Sequence, residues 1–524
     1  MNLPPTSVLA YRAVIGAALL TTIFVALSIE GEPWLFAVIA WLLIIVLFLS
    51  WWFLEGQEGA AHTLFYCMAI AIIFVPATRD DISRLFDGEV RVWNVYHYYL
   101  GSKYFGELGY TDIYIATLKA DREGRNYWTG VVRNVRDLET YNVVKVEDVI
   151  SEYDPSERFT PERWASFRED VEVLASHRSA RGWRGIFRDR GYNPPPVWTA
   201  VGGFVSSNVK LDKSGLLLLA SLDIFLLLAM GVAVIRAFGA APALFVALLF
   251  VVSPMNISRA FGGFLQFDWL ASIVIGVCLL QRGKFGWAGI TLSYALMTRV
   301  YPMFMIAGFF VPVLAYVITH RRIPSYGLKF FAGVAVGGVG LVAISLIPEY
   351  GVSAWFEFIP KIATHSGDHV LGEQRIGLKH AFTAGPEWLE DTINKQDRAM
   401  LLQQRVYFYW IACTALVTAY LLVAWRSKPI DALILGMILV FSMLVLSRYY
   451  YGMLALIPLI AGTRREALLL TGLQIMIFAV AYTLETIGVE RHMRYVAIDI
   501  GLALYFAYLL AAKLIPGLKR AYQT

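Results

Sequence analysis

Charge is scarce in this chain. Only 16% of its 524 residues are Asp, Glu, Lys or Arg, while 58% are hydrophobic; an ordinary soluble domain has about 25% charged and about 45–50% apolar residues. That scarcity excludes an ordinary soluble globule and marks a multi-pass integral membrane protein. Cysteine is nearly absent as well. Cys67, Cys278 and Cys413 each sit inside an apolar segment, which suits reduced, packed thiols and not a disulfide frame or a metal cluster. The net charge of +5 is small and dispersed, so a nucleic-acid partner is not expected. A positively charged, cleavable leader with a small-residue exit site is missing, and the first apolar run is therefore expected to be a retained helix. Internal repeats, low-complexity tracts and metal motifs of the HExxH kind are missing too.

What the chain does have is apolar runs. A spanning helix needs about 20 mostly apolar residues, with about 17–25 tolerated. Runs lie near 13–29, 34–54, 62–77, 213–236, 240–254, 266–281, 286–298, 302–319, 330–347, 406–424, 430–446, 450–462, 466–485 and 496–515. The expected fold is an all-α integral membrane bundle of about 12–14 spans, the shortest runs setting the range. Basic short loops ("QRGK", "THRRIPSYGLK", "WRSKP", "GTRRE") and the tail "KLIPGLKRAYQT" are assigned to the cytoplasmic side. The acidic "LEGQEGAAH" falls on that side without supporting it. The chain then divides into N-terminal spans (1–77), a first extracytoplasmic segment (78–212), central spans (213–347), a second extracytoplasmic segment (348–405) and C-terminal spans (406–524).

The first polar segment is too long to be a linker, since structureless stretches beyond about 12–15 residues are uncommon. "SERFTPERWASFREDVEVLASH" has Pro at an early helix position and Phe167, Val171 and Leu174 at helical spacing. "YNPPPVW" reads as a rigid stop before the next membrane run. A small helical cap is expected.

"TRDDISRLFDGEV" places Asp80 and Asp81 within a few residues of an expected helix end at Ala77. Sugar transfer from a polyprenyl phosphate to a hydroxyl needs one general base, because the lipid phosphate leaves already ionised. A carboxylate at headgroup level suits that chemistry; an N-cap and a solvated first-turn acid would explain the same two residues. In "WNVYHYYLGSKYFGELGYTDIY", helical spacing puts Tyr96, Tyr99 and Lys103 near one face and His97, Gly101 and Tyr104 near another. An interfacial aromatic anchor accounts for the tyrosines, and substrate contact for His97, Tyr98 and Lys103. "FGGFLQFDWL" sets Gln266 and Asp268 at the start of a span, where a carboxylate is costly unless it faces a cavity or a partner. "YALMTRVYPMFMIAGFF" puts Arg299, then Tyr301 and Pro302, between two apolar runs, as in a broken helix pair lining a cavity. Arg299 is there either to hold a lipid phosphate or to snorkel to the headgroups. "RGWRGIFRDRGYNPPPVW" adds Arg181, Arg184, Arg188 and Arg190 as a basic approach. In the second polar segment, "FIPKIATHSGDHVLGEQRIGLKHAF" gathers Lys361, His365, Asp368, His369, Arg375 and Lys379, a set suited to phosphate or sugar contacts more than to a metal.

Taken in order, the early acid, "YYLGSKYFGELGYTDIY", "LQFDWL", "TRVYP" and a late "IGLK" resemble the polytopic GT-C glycosyltransferases. The resemblance is to the branch that includes polyprenol-phosphate-mannose-dependent mannosyltransferases. It implies inverting transfer of a hexose from a polyprenyl-phosphate sugar to a glycan, lipid or protein acceptor, without metal or cofactor. It also implies an active face on the periplasmic side of a bacterial inner (plasma) membrane, in contact with membrane lipids, and a first-loop acid, Asp80 or Asp81, as base. The chain departs from that family in two ways: the acidic loop comes later, and Asn94 stands where an acid would precede "YHYYLG". Asp87, or a role shared with His97, thus stays open for the base. A catalytically silent scaffold subunit and a lipid-linked substrate transporter or flippase are the other function classes compatible with these spans.

Overall fold

The computed structural model describes residues 90–255, 262–385 and 394–515, with isolated positions between 37 and 44. The expected spans near 13–29, 34–54 and 62–77, and with them Asp80, Asp81 and Asp87, lie outside the described residues or almost entirely so.

Six described helices are long and apolar enough to cross a membrane: Lys213–Phe238, Pro302–His320, Ser325–Ser345, Val406–Ala424, Arg464–Thr486 and Arg491–Leu514. Their starts follow from local chemistry. Asp212 caps the first by accepting from Gly215 N–H, Pro302 opens the second where its missing N–H costs nothing, and Thr463 caps the fifth through Glu466 N–H. The other expected runs are helical but shorter. Ala240–Val252, Asp268–Gln281 and Phe285–Thr298 have 13, 14 and 14 residues, and the 430–446 run is two seven-residue helices joined at Gly436. Fourteen residues of α-helix rise about 21 Å, short of the about 30 Å of hydrocarbon. Such elements, and the irregular chain between them, are tolerated at membrane depth when other protein covers them; in Asp268–Gln281 nearly every side chain is buried.

The 450–462 run is not an α-helix. Arg448–Ile460 is a 13-residue 3-10 helix, buried from Tyr451 onward along most of its length. At about 2.0 Å per residue it reaches about 26 Å, so the tighter winding recovers span from few residues.

A cap covers one end of the bundle. Its core packs Tyr96, Tyr99, Tyr104, Trp128, Trp183 and Phe187 with Phe167, Val171 and Leu174 of the helix Pro161–Ser176. That helix begins as its sequence dictates, with Thr160 accepting from Arg163 N–H and Pro161 in the first position. The cap also holds a two-stranded antiparallel ribbon that helical periodicity does not announce, Asn134–Arg136 against Val143–Lys145. "YNPPPVW" is more than a stop, since Pro196 opens a further helix, Pro196–Asn208. The cap core continues into Leu216 and Leu219 of the first long helix and Ala354 and Phe358 of the helix Gly351–His369. A second short ladder, Arg375–Ile376 against Leu446–Ser447, ties the 348–405 segment to the start of the 3-10 helix.

Candidate functional site

Between Phe285–Thr298 and Pro302–His320 the chain turns through Arg299, whose backbone is extended at φ −147 and ψ 125. Its guanidinium is 8% exposed. Nη1 donates to the Thr298 carbonyl at 2.7 Å, and Nε has no hydrogen-bond partner among the described residues. No described carboxylate forms an ion pair with it. The carboxylate within electrostatic reach is Asp268, and that one is otherwise engaged. Tyr294 donates its hydroxyl to Asp268 Oδ2 at 2.7 Å, and Trp269 N–H donates to Oδ1 at 2.7 Å. A buried cation held near a carboxylate yet not paired with it has capacity left for another anion.

Aromatic rings wall this space. Tyr98 stands edge-on to Trp198 at 4.9 Å; Tyr301 packs on Trp269 at 5.6 Å and on Tyr450 at 5.0 Å, and Tyr449 follows Tyr450 at 4.3 Å. The Tyr98, Tyr449 and Tyr450 hydroxyls are electrostatic neighbours of Arg299. The Tyr301 hydroxyl and Gln266 Nε2 are buried without a hydrogen-bond partner among the described residues. Tyr98 reaches the wall because Tyr96–Leu100 is wound as a π-turn, which shifts the helical register by one residue.

The loop that delivers Gln266 and Asp268 is clamped from two sides. Asn94 accepts from Phe264 N–H at 2.7 Å, and Asp223, buried inside Lys213–Phe238, accepts from Phe267 N–H at 3.1 Å. Leu265 between them has φ +49, in the left-handed region that a branched residue enters only when its surroundings impose it. Sequence reasoning missed Asp223, although a lone carboxylate in "LASLDIFLLL" is the kind of intramembrane acid that signals a partner.

Beyond the tyrosines lies a cluster of basic groups. Arg375 donates from Nη1 to Ser447 Oγ at 2.8 Å and, like Arg299, has Tyr449 and Tyr450 as electrostatic neighbours. Burial and the adjacent Arg190 hold its guanidinium down at about 10. Burial, with Arg190 and Arg375 nearby, pushes His365 down to about 4. Lys361, lowered to about 8 by burial, donates to the Leu138 carbonyl at 2.8 Å and lies 4.8 Å above the Tyr141 ring. The Tyr141 hydroxyl shares a 3.4 Å hydrogen bond with His365 Nδ1. Of the four arginines on the basic approach, Arg190 is the one that faces His365 and Arg375; Arg184 is exposed and donates to the Val131 carbonyl at 3.0 Å.

Gln266, Asp268, Arg299, Tyr301 and Tyr98 are thus brought together, with Lys361, His365 and Arg375 alongside. Three other sequence candidates are engaged elsewhere. His97 donates from Nδ1 to the Trp93 carbonyl at 2.7 Å, and its Nε2 accepts from the Tyr114 hydroxyl at 2.8 Å, which in turn accepts from Gly191 N–H at 3.0 Å. That relay fixes the loop leading from Arg190. Lys103 donates to Asp170 Oδ2 at 2.7 Å and to the Tyr99 hydroxyl at 2.9 Å inside the cap. Lys379 lies over the Tyr409 ring at 5.8 Å. Among the described residues no three His, Cys, Asp or Glu side chains gather as a metal site.

The fold and its apolar helices define an all-α, multi-pass membrane protein. No protein-family model, curated protein or solved structure matches the chain.

Proposed function

We propose that the chain is a membrane glycosyltransferase that moves a sugar, a hexose such as mannose, from a polyprenyl-phosphate donor to a glycan, lipid or protein acceptor. Transfer takes place at the capped, extracytoplasmic face. The observation that carries this reading is Arg299, a buried guanidinium whose nearest carboxylate already belongs to Tyr294 and Trp269. The guanidinium has no hydrogen-bonded carboxylate among the described residues, its Nε is unsatisfied, and a lipid phosphate is an anion delivered at membrane depth. The aromatic wall suits the apolar faces of a sugar and an isoprenoid chain.

In the proposed reaction the acceptor oxygen attacks the anomeric carbon while its proton passes to a carboxylate, Asp80 or Asp81. The bond from the anomeric carbon to the phosphate oxygen breaks on the opposite face, which inverts the centre. The electron pair leaves with the phosphate, where Arg299 stabilises the growing charge.

Donor affinity in detergent-purified protein tests the reading. Arg299→Gln should weaken binding of a polyprenyl-phosphate sugar about tenfold or more, because a charge-assisted contact is lost. Arg299→Lys should fall between, keeping charge without the planar fork. The melting temperature of Arg299→Gln without donor checks that the variant is folded, because removing the cation leaves the buried Asp268 without its electrostatic partner. A folded Arg299→Gln that binds as tightly as the parent defeats the proposal.

A further inference from the structure

The segment that carries Arg375 is gripped from behind. Gly377 N–H donates to Asp499 Oδ1 at 2.8 Å, and His380 Nδ1 lies 2.7 Å from Asp499 Oδ2. On the other side of the ring, His380 Nε2 lies 3.1 Å from the Gly372 carbonyl. Asp499 comes from the long helix Arg491–Leu514, and both side chains are fully buried. Arg375 and Ile376 thus lie between two held points, Gly372 and Gly377. Gly377 has φ +156, and a Cβ there would collide with the Leu444 carbonyl, so the segment sits directly on the strand it pairs with.

The hydrogen bonds fix the proton count. A carbonyl oxygen only accepts, so Nε2–H must donate to Gly372. A neutral imidazole then offers only a lone pair at Nδ1, and an ionised Asp499 would set acceptor against acceptor. One more proton is required, on Nδ1 or on the carboxyl. Burial disfavours the charged imidazolium and lowers His380, which leaves that proton on the carboxyl oxygen, donating to Nδ1. The other titratable or charged groups facing the pair are His492, edge-on to His380 at 4.8 Å and joined to Thr383, the cations Arg375 and Arg398, and Tyr451 beside Asp499.

We propose that His380 and Asp499 are a positioning pair that keeps one shared proton and so fixes Arg375 against the Tyr449–Tyr450 edge of the anion site. The proposal rests on the phosphate reading of that site.

Asp499→Asn keeps an acceptor for Gly377 and replaces the shared proton with an amide N–H. Its affinity for a polyprenyl-phosphate sugar should stay within about twofold of the parent. Asp499→Leu removes both contacts and should weaken binding about tenfold or more. In an Arg375→Gln background Asp499→Leu should add nothing, because its effect passes through Arg375; an equal loss in both backgrounds overturns the positioning role. Nitrogen-15 NMR of histidine-labelled parent protein, assigned with His380→Gln, needs no ligand and no folded Asp499→Leu. It should show Nε2 of His380 protonated at neutral pH, and an unprotonated Nε2 overturns the shared proton. A parent that binds no such donor overturns the phosphate reading and Arg375's part in it, while the NMR result still decides the pair.

Discussion

Tyr294 donates its hydroxyl to Asp268 across 2.7 Å, and that bond occupies the carboxylate within electrostatic reach of Arg299. The phenol satisfies a buried acid that no hydrogen bond joins to the guanidinium.

Tyr294→Phe removes that bond. Asp268 loses a donor, which costs about 1–3 kcal/mol at a buried polar group, and the carboxylate becomes available to Arg299. Donor affinity should fall although Tyr294 carries no charge, and adding Asp268→Asn should restore much of it. Titrations of the single and double variants with a polyprenyl-phosphate sugar check this; a single variant that binds like the parent rules out the competition.

The proposed general base belongs to the first polar segment. Replacing Asp80 or Asp81 by Asn keeps the shape and removes the proton acceptor, and the variant at the true base should lose about 10²–10⁴-fold in turnover while binding donor normally. Wild-type turnover by both single variants would move the role to Asp87 or elsewhere.

Acid should loosen the capped end of the molecule. His365 is held near 4 by burial and neighbouring cations, against about 6.5 in an unfolded chain. The unfolded state therefore takes up more protons between those values, and stability falls as pH drops from about 6.5 toward about 4. His97, lowered first by burial, acts in the same direction. The melting temperature should be lower at pH 5 than at pH 7.5, and His365→Gln should flatten part of that slope. An equal slope in parent and variant assigns the effect to other groups.

Orientation can be read with single cysteines. Substituted at Arg282, Arg322 and Arg465 they should resist a membrane-impermeant reagent applied to intact cells, and at Gly124 and Gly367 they should react. Cys278 and Cys413 are buried and contribute little background. The opposite pattern puts the cap in the cytoplasm and removes the argument for a lipid-linked sugar.

Much of the fold was legible because hydrophobic length and helical spacing are local properties. The six long helices, the buried face of Phe167, Val171 and Leu174, and the chain break at Arg299 can all be found within a dozen or so neighbouring residues. What escaped was through-space pairing. Lys103 looks like a substrate contact until Asp170, 67 positions away, meets it, and nothing near His380 points to Asp499, 119 positions on. Tyr449 and Tyr450, at the edge of the apolar run 450–462, gave no site signal because they follow the strand Leu446–Ser447 and lie in a 3-10 helix, and neither habit has a strong sequence signature. Tyr98 lies within a π-turn, which offsets the register that α-helical spacing predicts.

The 3-10 winding of Arg448–Ile460 also acts as a ruler. Rewound as an α-helix, its 13 residues would shorten by about 6 Å. Pro458 and Ile460 at its far end are buried in the bundle, so any such change of pitch would be felt at the near end, where Tyr449 and Tyr450 stand beside both guanidiniums. The depth at which those two phenols stand beside Arg299 and Arg375 is therefore set by the number of turns beneath them.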